Sequence, residues 1–103
     1  MLRYVKIPQV RHYRVEVSGW DRHQNFFVEN CDLLWTEESG KVVTLHRTLS
    51  PEAILFVRLL DPEQADRAHP VVYLAKWIGE APDRCHQFQL NALVPRTPEN
   101  SAV

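Results

Sequence analysis

The side chains that most often carry catalysis or hold metals are scattered along this sequence. None of the five histidines stands three or four residues from another histidine, or from an acid, in a helix that would bring them together on a metal ion. Cys85 and His86 are neighbours on a predicted strand, where successive side chains point to opposite faces, so they are poorly placed to act as a thiolate and its base. The chain contains no GxGxxG, P-loop or GxSxG motif. We therefore predict a protein that is not an enzyme and that needs no cofactor.

The most distinctive charge pattern lies at the beginning of the chain. Its cations are Arg3, Lys6, Arg11, His12 and Arg14. No acid precedes Glu16, so the segment is locally basic. It is either an anion-binding segment or a solvated entry to the fold, in which Arg11 and Arg14 are surface arginines. Residues 1–9 are predicted to form a basic N-terminal arm. The whole chain has a formal net charge of −1, which makes nucleic acid an unlikely partner.

Length and cysteine usage limit the class of protein. A chain of 103 residues is expected to form one domain with a single modest core. Cys31 and Cys85 lie far apart and outside any CxxC or Cys/His cluster, so we expect two reduced, buried thiols instead of a zinc site or disulfide framework. The longest apolar run, residues 53–57, is too short to span a bilayer. We expect a cytoplasmic protein without membrane insertion.

Strand-like patterns fill most of the region between the two ends of the chain. Residues 13–17 alternate apolar and polar side chains, as a strand with one wet face does. The long aromatic and aliphatic run from residue 25 ends in a polar turn at Gly40, and the β-branched run 42–45 returns from it, which predicts a hairpin. Both faces of the aromatic run are partly apolar, as in a strand that bends around a small barrel, and Trp35 is expected to be buried in the core.

One element in the second half of the chain fits two different patterns. Residues 50–52, Ser-Pro-Glu, are a signal for the start of a helix. Residues 53–60, however, are rich in strand-forming side chains and have an unbroken apolar face. We predict a strand over residues 53–60, with a short helix as the alternative. Residues 61–70 form a polar connection that has room for one helical turn. Further strands are predicted over residues 71–79 and 86–92, and residues 94–103 form a flexible C-terminal tail. Six strands without a long helical segment predict an all-β antiparallel barrel or sandwich over residues 10–93.

Several of these stretches together resemble a known family. The run RHYRVEV at residues 11–17, then SGWDRHQNFFVEN, the turn ending at Gly40, and LSPE before a strand are similar to the layout of a PilZ domain. The resemblance covers roughly residues 10–93 and implies a small six-stranded antiparallel β-barrel. Many members of that bacterial family are receptors for cyclic di-GMP, which they hold through an RxxxR motif before the first strand and a (D/N)xSxxG motif after the second.

The two motifs match only in part. Arg11 and Arg14 stand where the arginine motif belongs, one residue closer together than RxxxR. Alignment on Gly40 places Trp35 at the Asp/Asn position and Glu37 at the serine. Arginine suits phosphate and guanine alike, but Trp35 cannot accept hydrogen bonds from a guanine edge, and Glu37 repels a phosphodiester. The resemblance thus implies ligand-binding residues at Arg11, Arg14 and Gly40 with weakened or lost cyclic di-GMP binding.

Three hypotheses follow for the function. The first is a non-catalytic PilZ-like signalling module that acts through an unidentified protein partner. The second is a working cyclic di-GMP receptor that uses Arg11 and Arg14. The third, from another class, is a small barrel that binds single-stranded nucleic acid through Trp20, Arg22, Phe27 and the basic arm. A structural domain that oligomerises through an edge strand at residues 71–79 also fits the pattern.

Overall fold

The regular structure of the described part of the chain consists of six β-strands. The computed structural model describes residues 10–60 and 69–93. The strands are β1 (Arg11–Trp20), β2 (Phe26–Thr36), β3 (Gly40–Leu45), β4 (Ala53–Leu59), β5 (Val71–Ala81) and β6 (Cys85–Ala92). The all-β prediction is confirmed, and residues 53–59 form a strand, as predicted over the helical alternative. The predicted arm (1–9), most of the polar connection (61–68) and the tail (94–103) lie outside the described residues.

The strands close into an antiparallel barrel in the order β1-β2-β3-β6-β5-β4, with β4 paired back onto β1. The predicted barrel is therefore confirmed. The predicted edge strand at residues 71–79 is wrong for residues 71–75, because that part of β5 pairs with β4 inside the closed barrel. From Lys76 onward the strand pairs with β6 alone.

One core fills the barrel, because inward and outward side chains alternate along most of the strand length. The inward residues that are almost fully enclosed include Val17, Val43, Leu45, Leu55 and Phe88. Each such aliphatic or aromatic side chain contributes roughly 1.5–3 kcal/mol by leaving water. Tyr13 and Leu49 pack against this core from its two ends.

The two ends of the barrel differ. At one end, which we call the mouth, β1, β3 and β5 begin and β2, β4 and β6 end. At the other end, the base, the connection of residues 46–52 carries Leu49 against the core. The predicted hairpin at the mouth is confirmed by the pairing of Thr36 with Gly40, whose φ of 69° is the positive value that glycine adopts most readily.

Gly19 allows the barrel to close. It is buried on β1 opposite Leu55 of β4, and an added Cβ would lie 3.0 Å from both the Ile54 carbonyl oxygen and the Leu55 Cδ2 atom. A larger residue would hold β1 and β4 apart at the seam that completes the cylinder. No helix in the described residues is long and apolar enough to cross a membrane.

Candidate functional site

A row of three side chains crosses the mouth on neighbouring strands. Arg11 begins β1, Trp35 stands near the end of β2 and Lys41 near the start of β3, and their Cα atoms are consecutive cross-strand partners. Two residues further into the barrel on the same strands lie the inward-pointing side chains of Tyr13, Leu33 and Val43. The guanidinium carbon of Arg11 lies 4.9 Å from the centroid of the Trp35 ring, a cation–π contact.

Trp35 is not a core residue. Its side chain is 39% exposed, so the expectation that it is buried was wrong. Its parity along β2 points it inward with Leu33, but it lies near the open end of the barrel, where no described strand covers the ring. The exposed indole and the guanidinium on it form a flat surface that can stack on another planar group.

The second arginine of the motif points elsewhere. Arg14 is an odd number of positions from Arg11 on the same strand, so the two side chains leave on opposite faces of the sheet. On the outer face, Arg14 Nη1 lies 3.2 Å from Asp32 Oδ1, and both side chains are more than half exposed. Such a pair contributes about 0–1 kcal/mol to stability. The structure therefore does not bring Arg11 and Arg14 together.

The turn before Gly40 is fixed by hydrogen bonds. Ser39 N–H donates to Thr36 Oγ1 at 2.9 Å, and Gln89 Nε2 donates to the Ser39 carbonyl at 2.8 Å. Glu37 of this turn lines a shallow depression of about 120 Å³ with Arg11, Trp35 and Thr36. Ligand pockets usually enclose roughly 300–1,000 Å³, so this depression is too small to enclose a dinucleotide.

The outside of the barrel carries an apolar area that sequence reasoning missed as a site. We call it the outer apolar surface, and its members are Trp20, Phe26, Val28, Ile54, Phe56 and Leu74. Four of them, Trp20, Phe26, Val28 and Ile54, are about half exposed. The sequence contains one indication of this surface, because both faces of the run after residue 25 are partly apolar. That pattern is equally typical of a strand that bends around a small barrel, so it does not by itself predict a site.

Register places these side chains on the outer face of four neighbouring strands. Ser18 of β1 is the cross-strand partner of Val28 on β2 and of Phe56 on β4. Ile54 of β4 is in turn opposite Leu74 of β5. At the base, the rings of Trp20 and Phe26 pack edge to face with centroids 5.2 Å apart. The far side of the barrel, on β6, presents Gln87, Gln89 and Asn91 instead.

A buried carboxylate holds the turn that carries the two aromatic rings. Asp21 Oδ1 accepts hydrogen bonds from the backbone N–H groups of Asn25 (3.0 Å) and His23 (2.8 Å), and Arg47 Nη1 lies 3.5 Å from Oδ2. The Asn25 N–H above all, with His23 and Arg47, holds the pKa of Asp21 below its ordinary value, against the opposing effect of burial. The turn between β1 and β2 is thereby fixed, and with it the Trp20–Phe26 pair.

The cysteines are buried, as predicted. Burial, with Glu29 nearby, raises the pKa of the Cys31 thiol to about 12, so it carries almost no thiolate at neutral pH and is a poor nucleophile.

Within residues 10–60 and 69–93, no group of three or more His, Cys, Asp or Glu side chains is placed to hold a metal ion.

One of the aromatic residues considered for nucleic-acid binding is inaccessible. Phe27 is 3% exposed, and the Arg47 guanidinium carbon lies 4.9 Å from its ring centroid. It therefore has no free face on which a base can stack. Trp20 and Arg22 are exposed, and the exposed ring beside Trp20 is that of Phe26 instead of the predicted Phe27.

Comparison of the chain with known protein families, curated proteins and solved structures finds no match.

Proposed function

We propose that this chain is a non-catalytic PilZ-like signalling module that acts through protein contacts, with cyclic di-GMP binding weakened or lost. The outer apolar surface is the observation that carries the proposal. Large contiguous apolar areas are uncommon on soluble monomers, and Trp and Phe are enriched at protein interfaces. A partner docks on exposed side chains of this surface such as Trp20, Phe26 and Ile54.

The geometry of the mouth supports the loss of nucleotide affinity. Arg11 and Arg14 leave opposite faces of β1, so they do not form one clamp. Glu37 stands where the family places a serine, and a carboxylate near 4 Å from a phosphodiester costs roughly 1 kcal/mol in water and about 4 kcal/mol at an intermediate dielectric. Trp35 replaces a hydrogen-bond acceptor with an indole that has only a donor.

A cyclic di-GMP receptor is the second candidate, and two contacts favour it. Arg11 already lies on the exposed Trp35 ring, where a guanine base has a surface for stacking. The Arg14–Asp32 pair is exposed, so releasing Arg14 toward a phosphate costs about 1 kcal/mol or less.

An amide-resolved NMR titration with cyclic di-GMP separates the two candidates. The signalling module without nucleotide affinity predicts no shifts at a large ligand excess. Saturating shifts at residues 11–14 and 38–41 would establish the receptor, and Arg14→Ala should then abolish them. Arg58→Ala is the matched control, because Arg58 is another arginine on the outer face, placed on β4 beside Glu16.

The contact surface is tested with two lysine substitutions. Ile54→Lys puts a charge into the outer apolar surface, whereas Gln87→Lys puts the same charge on β6, across the barrel from β1. Tagged wild-type protein, Ile54→Lys and Gln87→Lys are used as baits in quantitative affinity purification from the native host. A partner retained by the wild type and by Gln87→Lys, but lost from Ile54→Lys, supports the proposal. Equal retention by all three proteins contradicts it.

A further inference from the structure

The mouth of the barrel opens into an apolar cavity of about 320 Å³. Its walls include Tyr13, Leu33, Val57, Val71 and Tyr73, with Trp35 and Lys41 at the opening. The volume lies at the lower end of the range of small-molecule pockets, roughly 300–1,000 Å³. The cavity therefore suits a ligand with a body much smaller than a dinucleotide.

Lys41 gives this largely apolar cavity an ammonium group, and the only other basic side chain among its described lining residues is the imidazole of His69. The residue follows Gly40 in the hairpin, and its parity on β3 is that of the core residues Val43 and Leu45, so its side chain points inward. Its Nζ atom donates to Tyr73 Oη at 3.1 Å and lies 5.0 Å from the Tyr73 ring centroid.

The Lys41 ammonium has unused hydrogen-bonding capacity. It carries three donors, of which Tyr73 takes one. Within the described ranges, no carboxylate oxygen lies within 4 Å of its nitrogen. A half-buried cation of this kind is stabilised by an anionic partner, since its own hydration is reduced by the apolar walls.

We propose that the mouth cavity binds a small amphipathic anion, a monocarboxylate whose apolar body enters between Leu33 and Val57 and whose carboxylate meets Lys41. The apolar walls supply most of the affinity through area removed from water. The ammonium supplies the preference for a charged head over a neutral one. This site is separate from the outer apolar surface and does not depend on whether the module binds cyclic di-GMP.

Octanoate and 1-octanol form a matched pair of probes, because they share an eight-carbon chain and differ in the charge of the head. Binding of each is measured by NMR titration of the full chain, followed at the amides of Leu33 and Tyr73. In the wild type we expect octanoate to bind about tenfold more tightly than 1-octanol. In Lys41→Met the ratio should fall to about one while 1-octanol affinity is retained. Lys76→Met, which removes an exposed lysine from β5, should leave the ratio unchanged.

A second variant keeps the test decisive if Lys41→Met folds poorly. Val71 is half exposed at the start of β5 and lines the cavity, so Val71→Trp should fill the opening and abolish binding of both probes. Equal affinities for octanoate and 1-octanol in the wild type, or no saturable shifts at all, would overturn the proposal. Octanoate binding that survives Val71→Trp would place the ligand elsewhere on the chain and overturn it as well.

Discussion

Replacing Gly19 with alanine tests the seam at which the barrel closes. The added Cβ would lie 3.0 Å from a backbone oxygen of Ile54 and 3.0 Å from Leu55 Cδ2. The leucine methyl group has some freedom to move, but the carbonyl belongs to a strand held on both sides by β1 and β5. We expect β1 and β4 to separate by a few tenths of an ångström, at a cost of about 1–3 kcal/mol typical of overpacking.

A smaller effect opposes that cost. Alanine restricts the unfolded chain more than glycine does, which stabilises the folded protein by about 0.4–1 kcal/mol. Taking the middle of each range, the net loss in the free energy of unfolding should be about 1.3 kcal/mol. For a domain of this size, 1 kcal/mol corresponds to roughly 4–8 °C, so the melting temperature should fall by about 5–10 °C.

The assay is thermal and urea unfolding followed by circular dichroism. Ser18→Ala is the matched control, because Ser18 is the neighbouring residue on the outer face and its substitution does not touch the approach of β4. A Gly19→Ala protein with the melting temperature of the wild type would show that β1 and β4 do not approach this closely.

Three further perturbations probe single positions. Gly40→Ala should lower the free energy of unfolding by about 1–2 kcal/mol in urea, because its φ of 69° is strained for any residue with a Cβ and no neighbour contributes a clash. Cys31 should react with a thiol reagent in native protein far more slowly than in urea, since its pKa is about 12; equal rates would show that the thiol is accessible. The lowered pKa of Asp21 gives stability that is present above its unfolded pKa of about 4 and lost as the pH falls through the folded value. Urea midpoints between pH 7 and pH 2.5 should therefore fall less steeply in Asp21→Asn, and an unchanged pH profile would contradict this.

The strands could be predicted because they depend on local side-chain pattern. The alternation from Tyr13 to Val17 and the apolar face of residues 53–59 both correspond to inward positions of the barrel. Gly40 marked the hairpin for the same reason, since a turn of that shape needs positive φ at one position.

Features that depend on which residues face each other across neighbouring strands could not be predicted in the same way. The pattern along β2 predicts that Trp35 points inward, but it does not show how close to the open end of the barrel the residue lies. The exposure of the Trp35 side chain was therefore not predicted. The meeting of Arg11 with Trp35 requires two residues 24 positions apart to align across the β1–β2 hairpin, and the closure of the barrel requires β1 to pair with β4 and β3 with β6 across distant parts of the chain. The outer apolar surface is likewise formed by four strands, and no single stretch of sequence contains it.

The strand order has a consequence for how fast the protein folds. The hairpins β1–β2, β2–β3 and β5–β6 join neighbouring segments, but Val17 pairs with Val57 and Val43 with Phe88, each about forty or more positions away. Domains dominated by such distant pairings fold slowly, in roughly milliseconds to seconds, because loop-closure entropy is lost before the contacts form. The β1–β4 seam is therefore expected to form late, and until then β1 presents a temporary open edge to other chains in the cell.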